Sequence, residues 1–261
     1  MPTTTTTQKH LVLVHGLCHG AWCWYKVMTH LRSAGYRVSA VDLGGSGVNP
    51  SRLEEIATFA DYIQPLFQFL DSLSTDERVV LVGHSYAGLA ISLAMERFPQ
   101  IVSVAVFITA YMPNYRDPPV LQMTQYFKNL KPEMYMDCRF TFKNGSPASA
   151  ELGDNYLATM MYQNCQPEDL ALAKTLIRPG HFFLEDMSKD SLLTSDRYGS
   201  ISRVYVVCEG DRVVDEEFQR FVIEDSPPNE VKSFPGAGHM IMLSIPKDIS
   251  LYLQDIAARY P

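Results

Sequence analysis

One stretch, residues 79–93 with the sequence VVLVGHSYAGLAISL, constrains the fold of this 261-residue chain more than any other. It begins with a continuous apolar run, which is typical of a parallel strand buried on both faces. From Ala87 onward, good helix formers follow with apolar spacing, which predicts a helix. The residues between these two elements must therefore make a sharp strand-to-helix turn, and Ser85 lies at its tip.

This turn matches the motif G-x-S-x-G, in which a strained backbone exposes a serine hydroxyl above a sheet. Small residues flank the serine because bulky side chains would collide with the adjoining strand and helix. The sequence here is GHSYA, so Ala87 stands where the second glycine is usual, and Gly88 follows it. Ser85 is therefore a candidate nucleophile, and the alternative is an ordinary surface serine in a strand-to-helix loop.

Short apolar segments alternate with helical patterns along most of the chain. Strands are predicted at residues 11–14, 37–41, 101–109, 203–208 and 230–234, and helices at 24–33, 52–73, with Pro65 kinking or dividing the latter, 167–176 and 246–258. This alternation predicts a mostly parallel sheet with helices on both faces, so the predicted fold class is α/β. It is interrupted between residues 112 and 183, a segment rich in Met, Tyr, Phe and Pro with a hairpin predicted at 140–145. The expected organisation is a core of residues 1–111 and 184–261, with residues 112–183 as an inserted cap subdomain.

Charge and composition argue against several classes of partner. The chain has 22 Lys and Arg residues against 29 Asp and Glu residues, a net charge of -7, and no concentrated basic block, so no nucleic-acid partner is expected. The first residues, MPTTTTTQKH, lack the apolar run of a signal peptide or membrane span and are interpreted as a frayed tail. The 5 cysteines include no C-x-x-C pair and are interpreted as reduced core thiols. We therefore expect a cytoplasmic protein with no membrane association and no metal.

A nucleophilic serine needs a base to take its proton and a third group to orient that base. His239 lies in the small-residue loop after the last predicted strand, and Asp211 directly follows the strand at 203–208. Active groups in open α/β sheets gather at the carboxyl ends of the strands, so Ser85, Asp211 and His239 are predicted to form a catalytic triad. The alternatives are a solvated loop histidine at position 239, and Glu209 or Asp215 as the acid.

The anionic tetrahedral intermediate that forms when such a serine attacks a carbonyl also needs amide donors aimed at its oxygen. One predicted donor is the backbone N–H of Tyr86, the residue after the nucleophile. The other is the N–H of Leu17, in the glycine-assisted turn that follows the first strand. His15 and His19 in the same turn are interpreted as hydrogen-bonding residues that shape the loop.

Six segments of the chain carry a family resemblance: HLVLVHGLCHGAWCWYK, AVDLGGSGVNP, VLVGHSYAG, YGSISRVYVVCEGD, EEFQ and GAGHMIML. Together they resemble the plant methylesterase and hydroxynitrile lyase family of α/β-hydrolases, and its methylesterase branch in particular. The resemblance extends from His10 to Tyr260. It implies an α/β-hydrolase fold with a cap over a hydrophobic pocket, the triad and the oxyanion hole named above. It also implies a homodimer, no cofactor, and methyl esters of small plant hormone-like or alkaloid carboxylates as substrates.

The same family contains hydroxynitrile lyases, which the sequence separates from the esterases. The lyases use a threonine in the first loop and a lysine next to the catalytic histidine, whereas this chain has Gly16 and Met240 at the matching positions. Glycine has no hydroxyl and methionine has no charge to stabilise cyanide, so hydrolysis is predicted. A non-catalytic small-molecule hormone-binding protein on the same fold is the further alternative.

Aromatic and methionine side chains are predicted to line an apolar pocket for the acyl group. The predicted lining residues are Gly16, Tyr111, Met112, Tyr126, Phe140, Met161, Phe183 and Met240. We expect such a pocket to favour small aromatic or cyclic methyl esters over charged or long-chain ones.

Overall fold

A computed structural model describes residues 8–260, so most of the threonine-rich N-terminal tail lies outside the described residues. The first part of the chain alternates strands with helices. In chain order these are β1 (His10–Val14), α1 (Tyr25–Ser33), β2 (Arg37–Val41), α2 (Phe59–Asp71), β3 (Val79–His84), α3 (Ala87–Arg97) and β4 (Val102–Ile108).

The middle of the chain, residues 112–183, is called the cap segment below. It contains α4 (Val120–Asn129), β5 (Arg139–Lys143), β6 (Ser146–Glu151), α5 (Asp154–Tyr156), a π-helix (Leu157–Met161), α6 (Pro167–Leu176) and β7 (Gly180–His181). The chain then continues through α7 (Leu184–Met187), β8 (Ser202–Cys208), α8 (Glu216–Asp225), β9 (Glu230–Phe234), α9 (Ile241–Ser244) and α10 (Pro246–Arg259).

Six strands form one sheet in the order β2-β1-β3-β4-β8-β9. Every neighbouring pair in this sheet is parallel. Side chains of β1 alternate between two separate cores, because Val12 and Val14 pack on one face of the sheet while Leu11 and Leu13 pack on the other. Each fully buried side chain of this size contributes about 1.5–3 kcal/mol. The sheet is thus covered on both faces, which confirms the predicted α/β class.

The helix predicted over residues 52–73 is divided, but not at Pro65. A short 3-10 turn (Leu53–Glu55) precedes α2, and Pro65 lies inside α2. The helix begins where it does because Thr58 caps it: the Thr58 hydroxyl accepts the N–H of Asp61 at 3.1 Å, and the Asp61 carboxylate accepts the N–H of Thr58 at 3.0 Å.

The cap segment builds a second, antiparallel sheet of three strands, β5-β6-β7. Its hairpin turns at Asn144 and Gly145, whose φ angles of 53° and 79° are both positive, as a tight two-residue turn requires.

Within residues 8–260, every helix is too short or too polar to span a membrane. All five cysteines are free; three are buried, and Cys138 and Cys165 are half-buried rather than in the core.

The parallel pairing brings the carboxyl ends of the strands to one edge of the large sheet. The loops that follow β1, β3, β4, β8 and β9 all begin at this edge. They carry Gly16, Ser85, Thr109, Asp211 and His239, respectively. The topology therefore collects the three residues predicted to form the triad, Ser85, Asp211 and His239, at one place.

Candidate active site

Ser85 occupies a strained turn between β3 and α3. Its φ angle is 55°, in the left-handed region that a residue with a side chain rarely adopts. Its N–H donates to the carbonyl of Ile108 at 3.1 Å, and its carbonyl accepts the N–H of Gly88 at 3.0 Å. These bonds hold the turn to β4 and to the start of α3.

The structure explains why alanine is accommodated at position 87. A Cβ atom at Gly88 would lie 1.8 Å from the carbonyl oxygen of Tyr111, a fixed backbone atom, whereas one at Gly83 would meet the flexible end of Ile91 at 2.8 Å. The position that cannot accept a side chain is therefore 88, and Ala87 packs in the core with its methyl group fully buried.

His239 and Asp211 form a buried pair beside Ser85. The His239 Nδ1 lies 2.7 Å from Asp211 Oδ2. Because a carboxylate can only accept, Nδ1 carries a proton in this bond, and Nε2 is then the free base of a neutral imidazole. His239 and Ser85 line the same cavity. Within residues 8–260, the hydrogen bond that the His239 side chain makes is the one to Asp211, and none joins it to Ser85. Hydrogen bonds between base and nucleophile commonly tighten only when substrate binds.

The Asp211 carboxylate is held by three further donors. Thr109 Oγ1 donates to Oδ2 at 2.6 Å, and the N–H groups of Val213 and Val214 donate to Oδ1 at 2.7 Å and 3.0 Å. The alternative acids are engaged elsewhere. Glu209 lies 4.0 Å from the guanidinium of Arg220, and Asp215 accepts the N–H of Phe218 at 2.8 Å as the cap of α8. Asp211 is therefore the acid that contacts the histidine.

His84, directly before the serine, supports the loop that carries the base. Its Nε2 donates to the backbone carbonyl of His239 at 2.9 Å, and the two rings lie 4.6 Å apart. Burial, followed by the proximity of His239, lowers the pKa of His84 well below its ordinary value, so this imidazole is neutral. Sequence reasoning gave His84 no such role, because a contact between loops after different strands leaves no local pattern.

The amides predicted to form an oxyanion hole lie beside the nucleophile. Leu17 and Tyr86 both line the cavity that contains Ser85. In the part of the chain that the structure describes, neither N–H donates to a protein acceptor. Glycine at position 16 lets the loop after β1 pack closely against Ser85, since a Cβ atom at that position would lie 3.0 Å from the Cβ of Ser85. Two amide donors are thus free to bind an anionic oxygen.

His15 and His19 shape the loop after β1. His15 Nδ1 lies 2.8 Å from the carbonyl of Gly16, and its Nε2 accepts the N–H of Leu43 at 3.1 Å. His19 Nδ1 lies 2.9 Å from the carbonyl of Leu17. Burial lowers the pKa of His15 and lowers that of His19 to about 4. Both rings are therefore neutral hydrogen-bonding groups.

The buried neutral histidines predict a loss of stability in acid. His19 takes up a proton near pH 4 in the folded protein and near its ordinary value of 6.5 when unfolded. The unfolded chain therefore binds more protons between these values, and the free energy of unfolding falls as pH decreases from about 6.5 to about 4. For His19 alone, the loss at pH 4 is on the order of 3 kcal/mol.

Urea denaturation at a series of pH values measures this effect. The His19→Gln variant should show a smaller decrease in stability across that pH range than the parent. The matched control, His30→Gln at an exposed histidine of α1, should retain the parental slope. Equal slopes for the parent and His19→Gln would contradict the assignment of His19 as a neutral buried ring.

The cavity above Ser85 has mainly apolar and aromatic walls. Five of the predicted lining residues lie on it: Gly16, Tyr111, Tyr126, Phe140 and Met161. Sequence reasoning missed a larger group, of which the apolar members are Cys18, Phe127, Leu130, Met134, Tyr135, Ala150, Leu152, Tyr156, Met160, Phe182, Val213 and Val214. Val213 and Val214 lie only two and three residues after the candidate acid Asp211, a signal that could have found them. Within residues 8–260 no cluster of side chains could hold a metal ion.

Three residues predicted to line the pocket lie elsewhere. Met112 is fully buried in the core on one face of the sheet, and its backbone N–H donates to Gln122 Oε1 at 3.1 Å. Met240 packs in the core on the other face of the sheet. Phe183 contacts the rings of Phe59 and Tyr62, at 5.9 Å and 5.5 Å between centroids, whereas its neighbour Phe182 faces the cavity. Composition identifies apolar residues, but not which side of an element they face.

Comparison with known proteins gives a consistent result. The alpha/beta hydrolase family model matches residues 11–250. Methylesterase 10 of Arabidopsis thaliana is 49% identical over 254 residues, which cover 96% of this chain and 92% of the relative. Methyl jasmonate esterase 1 of Vitis vinifera is 45% identical over 260 residues, covering 97% and 98%. The crystal structure of polyneuridine aldehyde esterase superposes with a TM-score of 0.91 at 43% identity, covering 96% of this chain and 99% of the other. The resemblance inferred from the sequence motifs is confirmed, and the chain belongs to the α/β hydrolase family.

Proposed function

We propose that this chain is a serine carboxylesterase that hydrolyses methyl esters of small carboxylic acids through an acyl-enzyme. The observation that carries the proposal is that Ser85, on its strained turn, shares one apolar cavity with the buried pair of His239 and Asp211. The names of the plant relatives, a methylesterase and a methyl jasmonate esterase, support the same substrate class.

In the first step the Ser85 hydroxyl attacks the ester carbonyl. His239 Nε2 takes the hydroxyl proton, while Asp211 orients the ring and stabilises the imidazolium that forms. The amides of Leu17 and Tyr86 bind the oxyanion of the tetrahedral intermediate. The intermediate then collapses, His239 returns the proton to the departing methoxide oxygen, and methanol leaves.

In the second step water is the attacking group and Ser85 is the leaving group. His239 removes a proton from water as the water oxygen attacks the acyl carbon, and the same two amides bind the second oxyanion. His239 then protonates Ser85 Oγ, which releases the carboxylic acid and restores the free enzyme. Ester and water are thus converted to acid and methanol, and the protein groups are regenerated.

The walls of the cavity define the acyl group it fits. Tyr111, Tyr126, Phe140 and Phe182 present ring faces and edges, and Met161 contributes an adaptable side chain. Such walls favour small aromatic or cyclic acyl groups, in line with plant hormone-like or alkaloid carboxylates. Cyanohydrin cleavage is disfavoured, since Gly16 on the cavity wall has no hydroxyl and the buried Met240 has no charge.

The proposal has further parts that follow from the family resemblance. Residues 112–183 act as a cap over the core formed by residues 1–111 and 184–261. The enzyme works in the cytoplasm as a homodimer. It needs no cofactor, and its partners are small ester molecules rather than nucleic acids or membranes.

A substrate panel tests this function and its alternatives. Methyl esters of aromatic and cyclic acids, a long-chain fatty methyl ester and an aromatic cyanohydrin are each assayed for kcat/KM. We expect the aromatic and cyclic esters to give the highest values, by at least about tenfold over the long-chain ester, because the cavity walls match their shape. A highest value for the long-chain ester rejects the substrate class, cyanide release rejects hydrolysis, and ligand binding with no turnover favours a hormone-binding protein.

A further inference from the structure

Four consecutive residues of the cap segment contact three of the loops that carry proposed catalytic groups, all except the turn of the nucleophile Ser85. These residues, 162–165, follow the π-helix and are called the cap turn. The three loops are the oxyanion loop (15–20), the acid loop (209–214) and the base loop (235–240). None of the four residues of the cap turn lines the cavity, so they are not placed to contact substrate.

Tyr162 connects the cap turn to the oxyanion loop. Its buried hydroxyl lies 2.9 Å from His19 Nε2, and its ring stacks on the imidazole with centroids 6.0 Å apart. His19 is neutral and its Nδ1–H donates to the carbonyl of Leu17, so Nε2 must accept the Tyr162 proton. One directional chain of hydrogen bonds therefore runs from the cap to Leu17, the residue whose N–H is proposed to bind the oxyanion.

Gln163 connects the cap turn to the acid loop and the base loop together. Its side-chain amide donates to the carbonyl of Gly210 at 3.0 Å, directly before Asp211. The same nitrogen would lie 2.9 Å from a Cβ atom at Gly238, directly before His239. The amide of Gln163 is thus packed between the residues that precede the acid and the base.

Asn164 and Cys165 extend the contact along the base loop. Asn164 Nδ2 donates to the carbonyl of Gly236 at 2.8 Å, and the Cys165 thiol lies 3.9 Å from the carbonyl of Met240. The acid and base loops also bond directly to each other, through the Gly210 N–H and the carbonyl of Ala237 at 2.9 Å. A shift of the cap turn would therefore move both loops.

We propose that the cap turn is a positioning element of the catalytic site, which fixes the spacing of the oxyanion, acid and base loops from the cap side. The inference rests on the proposed serine esterase function. The side chains of the cap turn act through Leu17, Asp211 and His239 rather than on substrate. Misplacement of a reacting group by about 1 Å can reduce the rate by about a hundredfold, so small displacements of these loops suffice.

The test compares three variants of the cap turn with a matched control. Tyr162→Phe removes one hydroxyl and keeps the stacked ring, Gln163→Ala removes the amide between the acid and base loops, and Asn164→Ala removes the bond to Gly236. The control is Gln166→Ala, an exposed residue next to the cap turn whose side chain does not cap α6. Melting temperatures establish that each variant is folded.

Three readouts separate positioning from stability and from binding. They are kcat and KM for the best methyl ester, the rate of labelling by a fluorophosphonate, and the downfield proton resonance of the His239 Nδ1–H. We expect kcat and the labelling rate to fall by between about tenfold and about a hundredfold in the three variants, with KM changed less than about threefold. The resonance should shift in Gln163→Ala and Asn164→Ala and stay unchanged in Tyr162→Phe, which acts on the oxyanion loop. Gln166→Ala should match the parent in all three.

The outcomes distinguish this inference from the proposed function. If the parent is labelled at Ser85 and hydrolyses methyl esters while all folded variants match it, the positioning role is wrong and the esterase function stands. A raised KM with unchanged kcat would also contradict positioning. If the parent is not labelled at all, both proposals fail. Should Gln163→Ala not fold, Tyr162→Phe and Asn164→Ala decide the question.

Discussion

Replacing Ser85 with alanine is expected to reduce kcat for a methyl ester by roughly a millionfold. The hydroxyl is the attacking group, and the remaining rate comes from the oxyanion donors and from substrate binding alone. Alanine keeps the Cβ atom that packs against Gly16 and keeps the same backbone strain, so the variant should fold. Steady-state assays with the parent and the variant at matched concentrations measure the effect.

The control for this variant is Ser103→Ala. Ser103 is a half-buried serine of β4 whose hydroxyl donates to the carbonyl of Val79 at 3.0 Å, away from the cavity. Its loss should leave kcat within about twofold of the parent. Near-parental activity in Ser85→Ala would show that another group is the nucleophile.

Replacing Asp211 with asparagine is expected to reduce kcat by about ten-thousandfold. Asp211 Oδ1 accepts two backbone N–H groups, from Val213 and Val214, so an asparagine oxygen would remain there. The new NH2 group would then face His239 Nδ1, where the carboxylate now lies at 2.7 Å. Because two donors cannot bond to each other, the ring would carry its proton on Nε2 and could not accept one from Ser85. The measurement is kcat for the same methyl ester.

The neighbouring acids provide matched controls for this prediction. Glu209→Gln removes one negative charge from the loop that carries Asp211, and Asp215→Asn removes one from the end of that loop. Both variants should retain kcat within about threefold. The Asp215 variant should lose a small amount of stability, since an asparagine is also a good helix cap. Activity retained in Asp211→Asn but lost in Glu209→Gln would assign the acid to Glu209 instead.

The candidate triad could be found from the sequence because each member lies next to a local pattern. Ser85 is marked by a buried strand, a small-residue turn and a helix, and Asp211 and His239 follow apolar strands in small-residue loops. Parallel pairing of those strands then brings the three loops to one edge. Local sequence plus one rule of topology was sufficient to predict that these three residues lie together.

The groups that hold the triad could not be found in this way. Thr109 donates to Asp211 across a gap of 102 residues, and His84 supports His239 across 155 residues. Neither contact changes the composition or periodicity of its own segment. Such contacts depend on how the loops are packed against one another, which only the folded structure provides.

The pocket was predicted less well than the triad for a similar reason. Phe182 and Phe183 are adjacent and chemically identical, yet one lines the cavity and the other packs on α2. Met112 and Met240 are as apolar as Met161, but they fill the two cores of the sheet. Apolar side chains satisfy a core and a pocket equally, so register and rotamer decide which one they reach.

Mass spectrometry of a trapped adduct tests whether Ser85 is the nucleophile that forms the covalent intermediate. The native protein is incubated with a fluorophosphonate, digested and sequenced by tandem mass spectrometry. We expect one phosphonylated peptide, modified at Ser85, whose formation is lost in Ser85→Ala and strongly slowed in His239→Ala. An adduct on another residue, or no adduct on the folded native protein, would contradict it.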